Sequence, residues 1–442
     1  MTDRPLTILF WPESAYGPTN QCVGIGKVLL DRGHRVVFAA ESSWKSKLEA
    51  LGFEEELVDL AAPPEGTDAE DAAEEDAGAF WKEFIKETAP EFRKPTIEQL
   101  STFIQPTFQA LIDGAVYCEP RLREIVEKVK PDVIVEDNVV CFPATVTADA
   151  PFVRIVSCNP LEMKGPGVAP TFSGYPQADS SGWDEFRVAF AAATGEMWNT
   201  FNDFVVASGA PALPEGEFIH TSDVANLYVY PVEADYVAER PLDPTWTRMD
   251  SSVRSTDEPY EMPAKVTDRP EGSALIYLSL GSLGSADVDL MKRLIDVLGR
   301  TPHTCIVSKG PQHTEYELAD NMVGEEFLPQ IEIIPEVDVV ITHGGNNTIT
   351  EALHFGKPMI VLPLFWDQYD NAQRMDELGF GKRLATYAFT DEEMVAALDS
   401  LLADSDLHAR MAANAAAIQA RKGTEVGADV IEKVARDYAN SK

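Results

Sequence analysis

FLPQIEIIPEVDVVITHGGNNTITEALHFGKPMIVLPLFWDQYDNAQ, running from Phe327 to Gln373, is the stretch whose reading decides the fold. Val337 to Thr342, broken only by Asp338, is rich in β-branched residues, the pattern of a strand buried on both faces. It ends in His343-Gly344-Gly345, a helical pattern begins about Asn347 and continues to Phe355, and Pro358 to Phe365 reads as a further strand. Strand, glycine turn, helix and strand make one unit of a doubly wound parallel sheet. A glycine turn lets an anionic group approach the unpaired amides at the helix start, where the macrodipole also favours negative charge.

The same alternation extends on both sides. Ser273 opens it, with Ala274 to Gly281 as a strand, a helix through Leu298 and a strand from Cys305, so residues 273–425 form one α/β half. A second series begins at the N-terminus: Leu6 to Trp11 as a strand, a Gly/Pro loop, a helix through Leu30, a strand from Arg35 to Ala40, and later the strand Pro131 to Asp137, which ends on two carboxylates. Residues 1–235 are read as the first half. Residues 236–272, rich in Pro, Asp and Glu with weak periodicity, are read as a linker. Val426, Val430, Val434 and Tyr438 recur every fourth residue and predict an amphipathic terminal helix over 426–442 that packs back on the first half. The expected fold class is α/β, two Rossmann-like domains facing across a cleft.

Composition limits the function. Of 442 residues 45% are hydrophobic and the formal net charge is −37, so the protein builds sizeable cores and its field repels nucleic acid and anionic lipid. The same field repels a diphosphate, so a nucleotide site here needs local positive potential from backbone amides, histidine or a helix N-terminus. Glu65 to Gly78 holds seven acids and no base and reads as a solvated loop. The cysteines Cys22, Cys118, Cys141, Cys158 and Cys305 are odd in number and scattered, as expected of buried thiols in a reducing cytoplasm. No export signal, membrane span or metal-ligand cluster is apparent, so the expectation is a cytoplasmic protein without a metal or bound cofactor.

Phe-x-Pro-Gln at 327–330, Thr-His-Gly-Gly-x-Asn-Thr-x-x-Glu at 342–351 and Asp-Gln-x-x-Asn-Ala at 367–372 follow one another in order and spacing. Together they resemble the donor-binding signature of the family 1, UDP-sugar-dependent glycosyltransferases of GT-B fold, in their bacterial and arthropod-like versions. The likeness is close over 275–387 and looser in the first half. It implies a UDP-sugar as co-substrate, a hexose such as glucose as the transferred group, inversion, and a small lipophilic acceptor. Carried over residue by residue, it puts the uracil on Phe327, where the family usually has Trp, with Gln330 nearby and the ribose on Glu351. The diphosphate would meet Ser282, His343, Asn347 and Thr348 at the Gly344-Gly345 turn, and Asp367 and Gln368 would hold the sugar hydroxyls.

Several of these residues also have plainer uses. Thr348 and Glu351 fit the spacing of a capping box. Asp367 fits an N-cap, and Asp137 a cap after its strand. His34 reads as a structural residue in the turn before the second strand. Aromatic side chains from Phe80 to Phe108 and from Phe172 to Phe204 suit either core or an acceptor pocket.

The chain departs from the family pattern in one place. Members generally carry a histidine in the loop after the first strand that takes the acceptor proton, oriented by an Asp after a later strand. Here that loop is Glu13-Ser14-Ala15-Tyr16-Gly17-Pro18-Thr19-Asn20, and Pro18 stands where the histidine would be. The catalytic candidates are therefore Asp137 and Glu13. The alternative is a nucleotide-sugar-binding protein that has lost the chemistry.

Overall fold

In the computed structural model, which describes residues 4–62, 87–255 and 259–442, two wholly parallel sheets stand in sequence. The first joins β1 (Thr7–Pro12), β2 (Arg35–Glu41), β3 (Glu54–Val58), β4 (Val133–Asp137), β5 (Phe152–Val156), β6 (Asn226–Tyr228) and β7 (Trp246–Arg248) in the order β3-β2-β1-β4-β5-β6-β7. The second joins β8 (Leu275–Ser279), β9 (Thr304–Ser308), β10 (Met322–Glu325), β11 (Val339–Thr342), β12 (Met359–Val361) and β13 (Gly381–Arg383) in the order β10-β9-β8-β11-β12-β13. Both orders reverse direction beside their first strand, the doubly wound arrangement of a Rossmann-like sheet. The architecture is GT-B.

Alternation along β1 shows how the sheet is covered on both sides. Ile8 and Phe10 enter one core, shared with Ile25 of helix α1 (Tyr16–Asp31), while Leu9 and Trp11 enter the other, shared with Leu122 and Ile125 of helix α2 (Gln105–Val129). That second core runs on through helix α3 (Trp183–Ala207) into the second sheet. The second sheet carries the two helices that bear the motif residues, α4 (Asn346–His354) and α5 (Gln368–Glu377).

The last helix, α6 (Gly423–Ser441), returns to the first sheet, where Ala428, Ile431 and Ala435 join the Ile8 and Phe10 core. Arg32 of the first half pairs with Asp429 at 2.7 Å and with Glu432 at 3.0 Å. Ile431 is fully buried, and its truncation to Ala, at about 2–5 kcal/mol for a buried isoleucine, is the single change that would most directly release the helix. The buried stripe is Gly427, Ala428, Ile431 and Ala435, one residue off the valine spacing that predicts the helix; Val430 and Val434 flank it. Small residues are buried here because the helix approaches closely: a Cβ on Gly427 would meet Met249 Sδ at 2.5 Å.

Two expectations need correction. The stretch 236–272 is not wholly a linker, since Trp246–Arg248 is the edge strand of the first sheet, too short to carry a periodic signal. The terminal helix begins at Gly423 rather than 426. The acidic segment Glu65 to Gly78 and the aromatic residues Phe80, Trp81 and Phe84 lie outside the described residues. His34 is structural, accepting from the Leu6 amide and meeting Glu432 at 3.1 Å. No described helix is long and apolar enough to cross a membrane.

Candidate functional site

Ligands of doubly wound sheets gather at the carboxyl ends of the strands where the order reverses. Those points are β1 beside β4 and β8 beside β11. At the first, Pro12 pairs with Asp137, so Glu13 emerges next to the end of β4; its amide donates to the Asp137 carbonyl at 2.8 Å. At the second, Ser279 pairs with Thr342, so the turn after Ser279 faces His343. Candidates that are distant in sequence thus share two strand ends.

At the second of these points, Gly344 has φ +95°, and a Cβ there would lie 2.7 Å from Val361 Cγ1, so only glycine makes the turn. Gly281 (φ +71°) approaches the His343 ring so closely that a Cβ would sit 2.8 Å from Cε1; on the other side a Cβ on Gly345 would sit 2.6 Å from Nε2. Boxed in this way, the imidazole loses water, and burial outweighs a hydrogen bond to the Ser279 backbone to pull its pKa down to about 4. His343 is therefore neutral at pH 7. A neutral ring adds no full charge for a phosphate, so the positive potential comes from the start of α4. The N-cap there is Gly345, with no side chain capping the free amides. Ser282 sits in the short helical turn Gly281–Gly284 on the facing strand end.

Glu351 is buried at the centre of a polar cluster. Its Oε1 accepts from Asn347 Nδ2 at 3.0 Å and from Arg254 Nη1 at 3.0 Å, and its Oε2 accepts from Gln330 Nε2, which also reaches Thr348 Oγ1 at 3.1 Å. The structure thus brings Gln330, Asn347, Thr348 and Glu351 together as the motif implies. It rules out the capping box, because Thr348 is the third residue of α4 rather than its cap. It also adds Arg254, which sequence reasoning missed: a lone arginine in a stretch read as linker carries no pattern. Phe327, in the loop before Gln330, is 53% exposed, as a stacking platform needs.

Asp367 and Gln368 are less open than the motif implies. Asp367 stands at the N-cap of α5 without capping it; instead Oδ2 accepts from the Asn159 amide of the first half at 2.7 Å. Burial pushes its carboxyl up to about 7. Gln368 Oε1 accepts from the Leu364 and Phe365 amides at 3.0 and 3.2 Å, so this oxygen holds its own loop. Neighbouring residues clasp the halves: Asn371 bonds Asn159 and Tyr230, and Asp370 accepts from the Phe172 and Gly174 amides. On the opposite side Asn346 Nδ2 donates to the Ser157 carbonyl at 2.7 Å. Neither Asn159 nor Asn346 had any sequence signal, because contacts between halves follow no periodicity.

Just before Asp367, Trp366 holds a left-handed backbone (φ +58°) and drives its ring into the aromatic core, 4.4 Å from Phe172 and 5.2 Å from Phe108. Phe103, Phe108, Phe172, Phe186 and Phe201 are buried core residues. A cavity of about 30 Å³ beside Phe108, Phe172, Phe190 and Phe218, lined also by Arg154, Glu162, Lys164 and Glu217, holds no more than a water. A larger hollow of about 420 Å³ lies beside Lys292, Arg300 and Tyr316, away from both reversal points.

The two catalytic candidates differ in environment. Asp137 is buried; Ser157 Oγ donates to its Oδ1 at 2.9 Å, Oδ2 has no partner, and burial raises the carboxyl well above its ordinary range. It is not a helix cap, since the next helical turn is capped at Phe142. Glu13 is half-buried, and loss of water brings it up to about 7. Glu41 beside it is likewise pushed up to about 7, by burial and by the charge of Glu13. The loop carrying Glu13 is shorter than expected: α1 begins at Tyr16, so Pro18 lies in its first turn, where the missing N–H does no harm.

Residues 229–412 match the family model for UDP-glucoronosyl and UDP-glucosyl transferase. The oleandomycin glycosyltransferase of Streptomyces antibioticus is 24% identical over 435 residues, 97% of this chain and 90% of that protein. Among solved structures, the glycotransferase of kitacinnamycin superposes with a TM-score of 0.68 at 21% identity, over 98% of this chain and 99% of that one. The glycosyltransferase VinC in complex with DTDP gives 0.65 at 17% identity, over 98% and 100%. The motif-bearing half thus resembles the nucleotide-sugar-dependent UDP-glucoronosyl and UDP-glucosyl transferases, and the chain as a whole shares the GT-B fold of the solved glycosyltransferases it superposes on.

Proposed function

We propose that the protein transfers a hexose from a pyrimidine-nucleotide sugar, UDP-glucose in the first instance, to a small lipophilic hydroxyl acceptor, with inversion and without a metal ion. The observation that carries this reading is the uncapped start of α4, ringed by His343, Gln330 and Glu351 and adjoining the exposed face of Phe327. It offers free amides for a diphosphate, a carboxylate for ribose and an aromatic face for a base. The amides do for the leaving diphosphate what a cation does elsewhere. The DTDP complex of VinC and the Phe at 327 keep thymidine nucleotides within the donor class.

In the proposed reaction the acceptor oxygen attacks the anomeric carbon from the face opposite the nucleotide, the bond from that carbon to the β-phosphate oxygen breaks, and UDP leaves. The acceptor proton passes to a carboxylate. Glu13 suits that task better than Asp137: a pKa of about 7 leaves a useful fraction ionised at neutral pH, whereas burial holds the Asp137 carboxyl well above its ordinary range. Burial raises the basicity of Glu13, and the charge of Glu13 in turn raises Glu41 and Asp137. Asp367 and Gln368 turn to the sugar hydroxyls once the clasp with Asn159 opens. The aromatic core provides the acceptor's apolar surroundings only when the halves part, since the closed cavity is too small.

The test is a transfer screen by mass, UDP-glucose and dTDP-glucose against phenols, flavonoids, macrolides and amines, with and without EDTA. Product that persists in EDTA supports the reading. Activity abolished by EDTA and restored by magnesium or manganese overturns the metal-free leaving-group site. Neither transfer nor hydrolysis with any donor would favour the binding-protein alternative, which Pro18 keeps in view.

A further inference from the structure

Tyr16 and Phe327 face each other across the two halves. Their ring centroids lie 6.2 Å apart with 34° between the planes. Among the described residues, large aromatic side chains are mostly buried, yet these two are 43% and 53% exposed. Tyr16 is nonetheless firmly held. Its ring lies 5.1 Å from that of Trp44, whose Nε1 donates to the Ser14 carbonyl at 2.8 Å, and Lys47 Nζ stands 5.7 Å from the Tyr16 ring and 3.4 Å from its hydroxyl. The halves touch beside it: a Cβ built on Gly17 would lie 4.0 Å from Asn347 Cβ, at the start of α4.

We propose that Tyr16 is the second wall of a nucleobase slot whose first wall is Phe327, so that the donor's pyrimidine is held between the two halves of the protein. The inference rests on the reading of Phe327 as the base platform given above. A flat ring stacked between two others needs walls about 7 Å apart, twice a stacking contact of ~3.5 Å. The ring centroids stand 6.2 Å apart, so the rings must part by about 1 Å or more and level their tilt to admit the base. A phenylalanine offers a smaller face than a tryptophan, and a second ring from the opposite half makes up the lost contact. Lys47, alongside Tyr16, adds a donor at the rim of the slot where a pyrimidine presents carbonyl oxygens. Because one wall belongs to each half, an occupied slot bridges the halves, and donor binding is coupled to their relative position.

The experiment compares UDP with an abasic analogue, ribose 5-diphosphate, by inhibition or calorimetry on wild type, Tyr16→Ala, Tyr16→Phe and Phe327→Ala. Tyr16 is half-exposed, so its variants are expected to fold, and thermal melting checks this. Stacking on one aromatic side chain is worth roughly ten-fold in affinity. Tyr16→Ala should therefore bind UDP about ten-fold more weakly while binding the abasic compound as wild type does, and Tyr16→Phe should keep the preference for UDP. If Phe327→Ala loses UDP and Tyr16→Ala does not, the slot has one wall and the proposal fails while the platform stands. If neither variant changes UDP binding, the platform reading fails with it. Equal loss of UDP and abasic compound in Tyr16→Ala would assign Tyr16 to general closure and overturn the slot.

Discussion

Arg254, from the segment joining the two sheets, donates to Glu351 Oε1 at 3.0 Å, on the carboxylate that the motif assigns to ribose. Both side chains are largely shielded, at 12% and 2% exposure, so the pair is a buried one. Removing one member of a buried pair leaves the other charge uncompensated, which costs about 3 kcal/mol or more. Arg254→Ala should therefore lower stability by about that amount in urea unfolding. Glu351→Ala should destabilise as well as weaken UDP, since Arg254 and Gln330 each lose a bond to it. UDP affinity must accordingly be measured on material shown to be folded. An Arg254→Ala protein as stable as wild type would mean that the pair contributes nothing.

The neutral state of His343 has a direct consequence for donor binding. A folded pKa of about 4 lies below the ordinary histidine value, so the neutral ring's contribution to stability is present above about 6.5 and lost as pH falls through 4. Affinity for UDP-glucose, whose phosphodiesters gain no charge in this range, should be flat from pH 5.5 to 8. His343→Ala should weaken it by roughly 2- to 10-fold, the worth of one neutral hydrogen bond in the turn. Calorimetry across pH checks both. Affinity that climbs on acidification and stops doing so in His343→Ala would show that an imidazolium grips the diphosphate.

Both halves were legible in the sequence because buried parallel strands are apolar, β-branched runs and glycine turns punctuate them; Val339 to Thr342 and Gly344 are the clearest cases. The donor-site grouping of Gln330, Thr348 and Glu351 was legible too, since three spaced motifs lie within 50 residues of each other. What was not legible depends on chain segments far apart. Arg254 reaches Glu351 across 97 positions, and Asn159 reaches Asp367 across 208. The edge strand at Trp246 was hidden because three residues give no period, and the offset stripe of α6 because glycine and alanine, not valine, fit the close approach to Met249.

Asp367 has two tasks in this reading, and two substitutions separate them. Asparagine keeps an oxygen for the Asn159 amide but removes the charge that grips a sugar hydroxyl. Alanine removes both and leaves a buried N–H unsatisfied, at about 1–3 kcal/mol. Asp367→Asn should melt near wild type, bind UDP normally and lose turnover with altered choice of sugar. Asp367→Ala should lose stability as well. If Asp367→Asn weakens UDP as much as Glu351→Ala does, the division into nucleotide and sugar contacts is wrong.

The last expectation concerns the proton. Glu13 must be ionised to accept it, and its folded pKa of about 7 is raised above the ordinary carboxylate range by burial. For stability the sign runs against high pH: the raised pKa contributes most below about 4.3 and is lost as pH rises through 7. For activity it runs the other way, and kcat/KM should rise with pH through an apparent midpoint near 7. Glu13→Gln should remove that limb and lower the rate on aliphatic alcohols by about 10²–10⁴, the usual worth of a positioned base. Acidic phenols, with a pKa near 10 or below, need less help and should lose less. Asp137→Asn keeps a polar group opposite Ser157 and should act more mildly, leaving the midpoint near 7, because burial rather than Asp137 raises Glu13. A series of substituted phenols and matched alcohols, run against pH with wild type and both variants, decides the matter. A pH limb that survives in Glu13→Gln and vanishes in Asp137→Asn would make Asp137 the acceptor of the proton, and equal rates on alcohols and phenols in all three proteins would place that acceptor outside this pair.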